Sequence, residues 1–420
     1  MKNKKIFLSI IIILALIVVI FSIVFLYIKN DKKNKQMQKE NNEKLLLNKI
    51  KGSYNHIVKI NSDAKLYDTK KNEIGIIYKD SELLLDDNYN ITDNFYKLDG
   101  LDYYIKYDKV SKIDSLSIEP HSEYDTYKNY IPLNKNIVTN GKYKLYIKDK
   151  LCFEFDKSSE FSVIIETDDK YGVEFNNKLY YIEKTDVKEE KESNNSNKAI
   201  ANDLPVLNYH YTVNREAKEL EDCVQDICME DTQVEEEIKY LSDNNYYALS
   251  MRDVYLYVKG YIQIPKNSVV ITIDDGWYVY RMIPILEKYK LNGTLFLIGS
   301  LASPDAYRSE FLEIHSHSWD MHKLRVCNGG THGGAILCWP DDKIQEDLKK
   351  SRESLNNTTV YCFPFYEYDN HAIEMLKQAG FEMSFIGGNR SVKVGDDLFK
   401  INRYVLVNST DINTFISFVS

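Results

Sequence analysis

The sequence predicts a multi-domain protein with an N-terminal transmembrane helix, two small β-barrel modules and a C-terminal α/β domain that forms a distorted (β/α) barrel. Three observations indicate this fold class. An apolar run covers residues 6–28, and short segments of alternating character begin near Tyr54. From Asp203 onward, apolar strand-like segments alternate with helical ones. The chain of 420 residues has room for two or three domains, because single cores seldom exceed about 250 residues.

The apolar run Ile6–Ile28 is interrupted only by Ser9 and Ser22. A helix of this length spans a hydrocarbon core of about 30 Å. The run is longer than the apolar core of a signal peptide, and no small-x-small cleavage site is present. Lysines flank it on both sides, so charge leaves the orientation open. We expect residues 1–51 to form a transmembrane anchor and a polar stalk, with a buried core helix as the alternative.

Two sets of short alternating segments predict β modules over residues 52–117 and 118–187. The sets end on similar sequences, LDYYIKYDKV at 101–110 and LYYIEKTDV at 179–187, which indicates that the two modules are related. They resemble bacterial SH3-like domains, which often bind cell-wall polymers. A pure spacer role is the alternative.

A charged, Asn- and Ser-rich stretch at residues 188–202 is predicted to be a linker to the C-terminal domain, residues 203–420. In that domain, buried-strand segments such as SVVITI and GTLFLIG alternate with helical segments at Val279–Tyr289 and Asn370–Ala379. The second helix should end at Gly380, a residue that favours helix C-caps. Strand, helix and strand at this spacing indicate parallel βα units.

Charge and cysteine content exclude two classes of function. The net charge of −9 argues against nucleic-acid binding, which needs concentrated Lys and Arg. The six cysteines form no CxxC pair, so a structural zinc site of that type is not expected. Cys223 and Cys228 lie five residues apart in a polar stretch. A local disulfide and two free thiols are both open at this point.

Two adjacent carboxylates, Asp274 and Asp275, end an apolar strand just before Gly276. Active sites of βα barrels lie at this end of the strands. Adjacent strand residues point to opposite faces, but a turn at Gly276 can redirect the second carboxylate. One aspartate can then bind a cation while the other stays free as a base. An ordinary turn is the alternative.

Three histidines, His315, His317 and His322, lie within eight residues. Two imidazoles five residues apart can bind one cation if the chain leaves a strand and enters a helix. Imidazoles with a carboxylate are a common ligand set for Zn²⁺, with positions left open for water and substrate. Together with the aspartate pair, the cluster predicts a site for Zn²⁺ or another divalent transition metal. An exposed histidine cluster is the alternative.

From about Leu204 to Val407 the sequence resembles the polysaccharide deacetylases of carbohydrate esterase family four, which have the NodB-homology fold. It is most similar to their circularly permuted branch, the poly-N-acetylglucosamine deacetylases. The segments that carry the resemblance stand in family order: PVLNYH, ITIDDG, EIHSHSWDMH, GGAILCWP, VYCFPFYEYD and IEMLKQAGFEMSF. The joint pattern is far more specific than any one segment.

The resemblance implies catalytic roles for several residues. Asp274 would be the general base, and Asp275, His317 and His322 would bind the metal. His210 would be the general acid, because the permuted branch has its Leu-x-x-His element at the start of the domain.

The resemblance also implies residues that bind the substrate or support the base. Leu207 would line the pocket for the acetyl methyl group, a backbone N–H near Phe365 would bind the oxyanion, and Trp277 could stack on a sugar ring or pack in the core. Many relatives have an arginine before the Pro-aromatic motif that orients the base. Cys362 stands there in this chain, and Arg403 is the candidate replacement.

The implied function is a metal-dependent N-deacetylase that acts on N-acetylglucosamine units of cell-wall peptidoglycan at the outer face of the membrane. This makes the protein single-pass, with an extracellular catalytic domain and no nucleic-acid partner. Three alternatives remain: an exopolysaccharide (poly-N-acetylglucosamine) deacetylase, a non-catalytic wall-binding protein with a degenerate deacetylase fold, and a glycosidase. For a glycosidase the sequence offers no obvious second acid, although Glu367 and Asp369 lie close to the third motif. His332 is expected to be structural or, alternatively, to face the substrate.

Overall fold

The computed structural model describes residues 56–86, 94–194, 198–219, 223 and 225–420. By its internal contacts the chain divides into two compact units. The first contains the described residues up to Ser117 together with Leu151–Asp156, and the second contains Ile118–Lys150 and the described residues from Lys157 to Ser420.

In the described part of the chain, no helix is long and apolar enough to cross a membrane. The longest, Asp341–Ser354, has 14 residues and is mostly polar, whereas a span needs about 20 apolar residues. This finding contradicts the predicted single-pass membrane localisation. The apolar run at residues 6–28, on which that prediction rests, lies outside the described residues.

Both units contain antiparallel β-structure before the C-terminal domain begins. In chain order the strands are β1 (Ile57–Ile60), β2 (Ala64–Tyr67), β3 (Glu73–Ile77), β4 (Glu82–Leu84), β5 (Phe95–Lys97), β6 (Tyr104–Lys106), β7 (Val110–Lys112), β8 (Lys135–Thr139), β9 (Tyr143–Ile147), β10 (Lys150–Phe155), β11 (Glu160–Glu166), β12 (Lys170–Phe175), β13 (Lys178–Glu183) and β14 (Val187–Glu192).

In the first unit, β1 pairs with β4 and β7 in one sheet, and the order β10-β3-β2-β6-β5 forms another. Residues such as Val58, Leu66 and Phe153 are fully buried, and in β2 the exposed Lys65 lies between the buried Ala64 and Leu66. This alternation is what the sequence shows, because one face of each strand packs on a core. The SH3-like identity of the two modules stays a prediction.

In the second unit the β-region has the strand order β14-β8-β11-β12-β13-β9. Strand β14 covers most of the charged half of the predicted linker, residues 188–202, and pairs with β8. Its sequence, VKEEKE, is exposed at nearly every position. Charged side chains are common on edge strands, where they discourage pairing with other chains. An edge strand of this kind therefore has the composition of a linker.

The β-region of the second unit packs directly on the C-terminal domain. The hydroxyl groups of Thr126 and Tyr130 donate to the carboxylate of Asp253 at 2.7 and 2.5 Å. Asp253 is fully buried and also forms a capping box with Ser250 at the start of a helix. Because these partners lie more than 120 residues apart in the chain, the sequence does not reveal the contact.

The C-terminal domain alternates strands and helices. Its strands are β15 (Val206–Tyr209), β16 (Tyr211–Val213), β17 (Cys228–Glu230), β18 (Tyr247–Ala248), β19 (Ser268–Asp275), β20 (Gly293–Leu297), β21 (Leu312–Ser316), β22 (Val360–Cys362), β23 (Met383–Phe385) and β24 (Tyr404–Val405). Among the described residues, the α-helices of the second unit are α1 (Glu123–Thr126), α2 (Asp231–Asp243), α3 (Met251–Val258), α4 (Val279–Tyr289), α5 (Asp341–Ser354), α6 (Asn370–Gln378) and α7 (Ile412–Val419).

The main sheet of this domain is parallel, with the order β23-β22-β21-β20-β19-β15-β24, and β18 also pairs with β19. It forms a curled half-barrel, which confirms the predicted α/β architecture in its coarse form. All eight residues of β19 are buried, as expected for a parallel strand covered on both faces. The predicted helix Val279–Tyr289 has those bounds, and α6 ends just before Gly380, which adopts a φ of +84°.

Candidate active site

The carboxyl ends of β15, β19, β21 and β22 meet at one cleft of about 530 Å³. This is where parallel α/β sheets place their ligands, because the loops after the strands are free to vary there. The lining includes His210 after β15, the two aspartates at the end of β19, and His317 and His322 after β21.

The two adjacent aspartates at the end of β19 face different partners. Asp275 has a φ of +76°, and the following Gly276 has a φ of +126°. A positive φ is unusual for a residue with a side chain, and such strain often lies at functional sites. The turn separates the carboxylates: Asp275 lies against two imidazoles, whereas Asp274 lies against a guanidinium group.

Three potential metal ligands converge at the Asp275 side of the turn. Its Oδ1 lies 3.2 Å from Nε2 of His317 and 3.1 Å from Nε2 of His322. That oxygen is buried and has no hydrogen-bond partner among the described residues. Although burial by itself raises the pKa of Asp275, the two imidazoles hold it well below its usual range. The group is therefore a carboxylate.

The orientation of His317 is fixed by its other ring nitrogen. Nδ1 lies 2.9 Å from the carbonyl oxygen of Cys362, so this nitrogen carries the proton in that hydrogen bond. In the neutral ring Nε2 then presents a lone pair to Asp275. Burial lowers the pKa of His317, but the surrounding groups outweigh burial and hold it well above its usual value, so a proton on Nε2 takes the place that a cation would fill. A carbonyl partner of this kind is typical of metal-binding histidines. The residues present therefore fit a divalent ion.

Asp274 and Arg403 form a buried, bidentate ion pair. Nη1 of Arg403 donates to Oδ1 at 2.8 Å and Nη2 donates to Oδ2 at 2.9 Å. Burial alone raises the pKa of Asp274, but the attraction of Arg403 outweighs it and lowers the pKa below the usual value. Arg403 thus contacts Asp274, the residue that it is expected to orient.

Cys362 is the other neighbour of this ion pair. Its thiol sulfur lies 3.0 Å from Nη2 of Arg403 and 3.6 Å from Oδ2 of Asp274. The cysteine is small enough for the guanidinium to reach the aspartate from a different strand. Burial raises the pKa of the thiol, which favours the neutral form beside the carboxylate.

His210 lies beside Asp274 in the cleft. Its Nε2 is 3.9 Å from Oδ2 of Asp274 and 3.4 Å from the hydroxyl of Tyr366. That hydroxyl donates to Oδ1 of Asn208 at 2.7 Å. Burial lowers the pKa of His210, although the nearby carboxylates oppose the shift. The structure therefore brings a largely neutral imidazole next to the candidate base.

Sequence reasoning missed Tyr211. Its hydroxyl donates to Oδ2 of Asp275 at 2.7 Å, which leaves Oδ1 to face His317 and His322. Second partners of this kind fix the geometry of metal ligands. The only available signal was its position next to His210, and that signal is weak in a chain with 33 tyrosines.

The predicted substrate residues differ in their placement. Trp277 is 41% exposed and lines the cleft, and Phe365 also lines it, with its ring centroid 4.3 Å from that of His322. Leu207 does not line the cleft: it is fully buried in the core with Tyr209. Strand residues alternate between faces. Leu207 therefore points away from the face that carries His210, three residues later.

The two remaining histidines of the motifs lie apart from the metal ligands. His315 is outside the cleft, where Nδ1 is 2.6 Å from the hydroxyl of Thr358 and Nε2 is 3.4 Å from Oε2 of Glu313. His332 lines the rim of the cleft and its side chain is 49% exposed.

The acidic residues considered for a glycosidase are both occupied elsewhere. Glu367 accepts the backbone N–H groups of His332 and Gly334 at 2.5 and 2.6 Å. Asp369 caps α6 by accepting the N–H of Ala372 at 2.7 Å. Neither lines the cleft as a second free carboxyl group. The geometry gives no support to a pair of carboxylates acting across a glycosidic bond.

Two disulfides lie beside the cleft. Cys223 pairs with Cys228, which resolves the alternative left open by the sequence, and Cys327 pairs with Cys338. The second pair was not anticipated, because sequence alone does not give connectivity.

Residues 262–384 match the family described as "Polysaccharide deacetylase". The C-terminal part of the chain is a deacetylase domain of the NodB type, and its class comprises hydrolases that cleave the amide bond of N-acetyl groups. The matched segment contains the aspartate pair and both histidines that face Asp275.

Named relatives of the domain come from bacteria. The poly-β-1,6-N-acetyl-D-glucosamine N-deacetylase of Escherichia coli (strain K12) is 23% identical over 230 residues, which cover 43% of this chain and 34% of that relative. The chain thus spans 34% of the length of the curated relative. A solved de-N-acetylase from Aggregatibacter actinomycetemcomitans is 20% identical, with a TM-score of 0.45, over 51% of this chain and 99% of the other. IcaB from Ammonifex degensii is 18% identical, with a TM-score of 0.43, over 53% and 97%.

Proposed function

We propose that this protein is a metal-dependent N-deacetylase that removes acetyl groups from N-acetylglucosamine units of a polysaccharide. One observation carries the proposal. A three-ligand cluster around Asp275 and a separate carboxylate, Asp274, ionised by Arg403, lie at one cleft of a deacetylase domain. Metal-assisted amide hydrolysis uses this combination of an ion that acts as a Lewis acid and a free base.

Asp275, His317 and His322 would hold the metal ion, and Zn²⁺ is the ion that this donor set favours. When bound, such an ion acts as a Lewis acid that activates water and polarises a carbonyl group. Tyr211 would keep the Asp275 carboxylate in place through its hydrogen bond to Oδ2. Cys362 would do the same for His317 through its carbonyl oxygen.

Asp274 would accept the proton of the attacking water. Arg403 keeps its carboxylate ionised and aligned, so the base is available without rearrangement. His210 would deliver a proton to the leaving amine. Because burial lowers its pKa, a proton that reaches the imidazole during the reaction passes on readily. The 3.9 Å between Nε2 of His210 and Oδ2 of Asp274 is longer than a hydrogen bond, so the proton would pass from Asp274 to His210 through one water molecule.

The oxyanion of the tetrahedral intermediate needs hydrogen-bond donors. In the turn after β22, the N–H groups of Tyr366 and Glu367 bond to carbonyl oxygens within the turn. We assign the neighbouring N–H of Phe365 to the oxyanion. Trp277, 41% exposed at the cleft, offers a flat apolar face for a sugar ring.

The substrate that we propose is a β-1,6-linked polymer of N-acetylglucosamine, because the curated relative is named for that activity. Peptidoglycan, which the sequence analysis expects, is the second candidate. A non-catalytic wall-binding role is less well supported, since such a protein has no need for a base, an acid and metal ligands around one cleft.

The test is acetate release by the full chain from β-1,6-linked N-acetylglucosamine oligomers and, separately, from purified peptidoglycan. A fragment that starts at residue 203 would expose the surface around Asp253 that residues 118–187 cover. Each substrate is assayed with added Zn²⁺ and with a chelator. Chelator-sensitive release from the oligomers supports the proposal. Release from peptidoglycan alone would move the substrate assignment, and metal binding without release from either would refute it.

A further inference from the structure

The segment GGTHGG, residues 329–334, forms a turn around a single buried carboxylate. Glu367 is 8% exposed, and its two oxygens accept the N–H groups of His332 and Gly334 at 2.5 and 2.6 Å. Burial raises the pKa of this carboxyl group, but the backbone N–H groups outweigh burial and lower it. The turn is thus wrapped around a permanent negative charge.

The glycines of this turn are required by the close approach of other groups. Gly330 has a φ of +74°, and a Cβ there would lie 2.4 Å from Oε1 of Glu367. Gly333 has a φ of +68°, and its Cβ would lie 2.5 Å from the carbonyl oxygen of Cys327. Gly329 is different: its φ is ordinary, and a Cβ would meet no atom of the described residues within 4 Å. The requirement for glycine at positions 330 and 333 indicates that the turn has one defined backbone conformation.

The other side of the turn is fastened to the preceding segment. The N–H groups of Val326 and Cys327 donate to the carbonyl oxygen of Gly333 at 2.9 and 3.0 Å, and that of Arg325 donates to His332 at 2.7 Å. The disulfide between Cys327 and Cys338 closes the loop. Backbone, carboxylate and covalent bond therefore all hold the same turn.

This turn presents the imidazole of His332 to the cleft. The ring lies 5.6 Å from that of Phe365 at an interplanar angle of 29°, and Phe365 in turn contacts His322. The side chain is 49% exposed, although the backbone at the same residue is firmly bound. A rigid backbone with an exposed polar ring at the mouth of a cleft is the arrangement of a ligand contact.

We propose that His332 is a substrate-binding residue, and that the turn at 329–334 holds it against the sugar unit next to the one that reacts. Its ring nitrogens bond to sugar hydroxyl groups, and the adjacent exposed Leu324 adds apolar contact. The inference rests on the proposed function, since it names a polymer of N-acetylglucosamine as the ligand. It gives the turn a role in selecting a polymer over a single sugar.

The experiment measures binding of a β-1,6-linked N-acetylglucosamine pentamer by calorimetry. The full chain, loaded with Zn²⁺ and carrying Asp274→Asn to prevent turnover, is the parent. Adding His332→Ala should weaken pentamer binding about five- to tenfold, the effect of one or two lost hydrogen bonds. His332→Gln should restore most of the affinity. Unchanged circular dichroism and metal content show that the fold and the metal site are intact.

Substitutions at the adjacent residues Gly330 and Gly329 form a matched pair of variants that tests the role of the turn. Gly330→Ala should weaken pentamer binding to a similar extent, because it displaces Glu367 from the turn. Gly329→Ala should leave binding within twofold of the parent. A purely structural role of His332 predicts instead that His332→Ala binds like the parent, and that result would overturn the inference.

The failures of the two proposals are distinguishable. If the unmutated chain releases acetate from the oligomer but His332→Ala does not affect pentamer binding, only this inference falls. If the chain releases no acetate and the parent binds no pentamer, the proposed function and the inference both fall. Binding that depends on His332 without any acetate release would uphold the inferred contact and reject the catalytic proposal.

Discussion

Arg403 donates two parallel hydrogen bonds to Asp274, at 2.8 and 2.9 Å, and both side chains are at most 1% exposed. The residues are 129 positions apart in the chain. The same guanidinium contacts the thiol of Cys362 and the carbonyl oxygen of Ile386. Asp274 is therefore held in place by a residue that lies just before β24, at the edge of the sheet.

We predict that Arg403→Lys lowers kcat about ten- to a hundredfold while metal content is unchanged. A lysine ammonium cannot reproduce the planar, bidentate contact, so Asp274 loses its alignment. Arg403→Met should also lower the free energy of unfolding by about 3–5 kcal/mol, because it leaves a buried carboxylate without a partner. Acetate release, metal analysis and denaturant unfolding measure these effects.

The control for Arg403 is Arg390→Lys. Arg390 also pairs with an aspartate, Asp396, but its side chain is 50% exposed. Exposed pairs contribute about 0–1 kcal/mol, so this variant should keep both activity and stability. Equal activity of Arg403→Lys and the unmutated chain would show that the buried pair does not support the base.

We predict that Asp274→Asn reduces turnover by at least about a hundredfold and leaves the metal bound, because an amide cannot accept the proton. Metal content is measured on the purified variant beside its acetate release. Asp369→Asn is the matched control, since asparagine caps a helix as well as aspartate does. Normal activity of Asp274→Asn would show that another residue is the base. Loss of activity in Asp369→Asn would support the alternative of a glycosidase with two carboxylates.

Much of this site was accessible from the sequence because the chemistry lies in short, local motifs. The aspartate pair ends an apolar strand, and His317 and His322 follow the next strand but one, so the parallel sheet brings them together at its carboxyl edge. The helix Val279–Tyr289 was equally readable from its periodicity. These features depend on neighbours in the chain.

Other features depend on register or on distant contacts. The motif predicts that Leu207 lines the cleft, but the alternation of side chains along the strand directs it into the core. The strand β14 has the composition of a linker because an edge strand exposes its charges. The disulfide at Cys327 and the hydrogen bond from Tyr211 to Asp275 join segments whose approach only the folded chain determines.

We predict that His317→Ala loses both bound metal and activity, whereas His315→Ala keeps both. The two histidines are separated by one residue, but only His317 faces Asp275, and His315 contacts Thr358 outside the cleft. Metal analysis after dialysis and acetate release measured in parallel check this contrast. Chelator treatment should reproduce the His317→Ala phenotype, and added Zn²⁺ should restore only the chelated protein. Retention of a full equivalent of metal by His317→Ala would exclude it as a ligand.

We predict that Glu237 makes the protein less stable as the pH rises. Its side chain is 1% exposed, and Oε2 accepts a hydrogen bond from the hydroxyl of Tyr209 at 2.9 Å. Burial raises its pKa to about 8, whereas an unfolded glutamate titrates near 4.3. Between these values the folded state holds a proton that the unfolded state has released. Stability from this group is therefore complete below about pH 4 and is lost progressively up to about pH 8.

Glu237→Gln tests this directly, because the amide is neutral at every pH and its oxygen can still accept from Tyr209. Relative to the unmutated chain, the variant should gain stability between pH 5 and pH 9, by an amount on the order of a few kcal/mol. Denaturant unfolding at pH 5, 7 and 9 gives the two curves. Glu236→Gln, at the exposed neighbouring position, removes only a minor contribution to the raised pKa of Glu237 and should run nearly parallel to the unmutated chain. If Glu237→Gln also runs parallel, the buried carboxyl group does not bind a proton on folding.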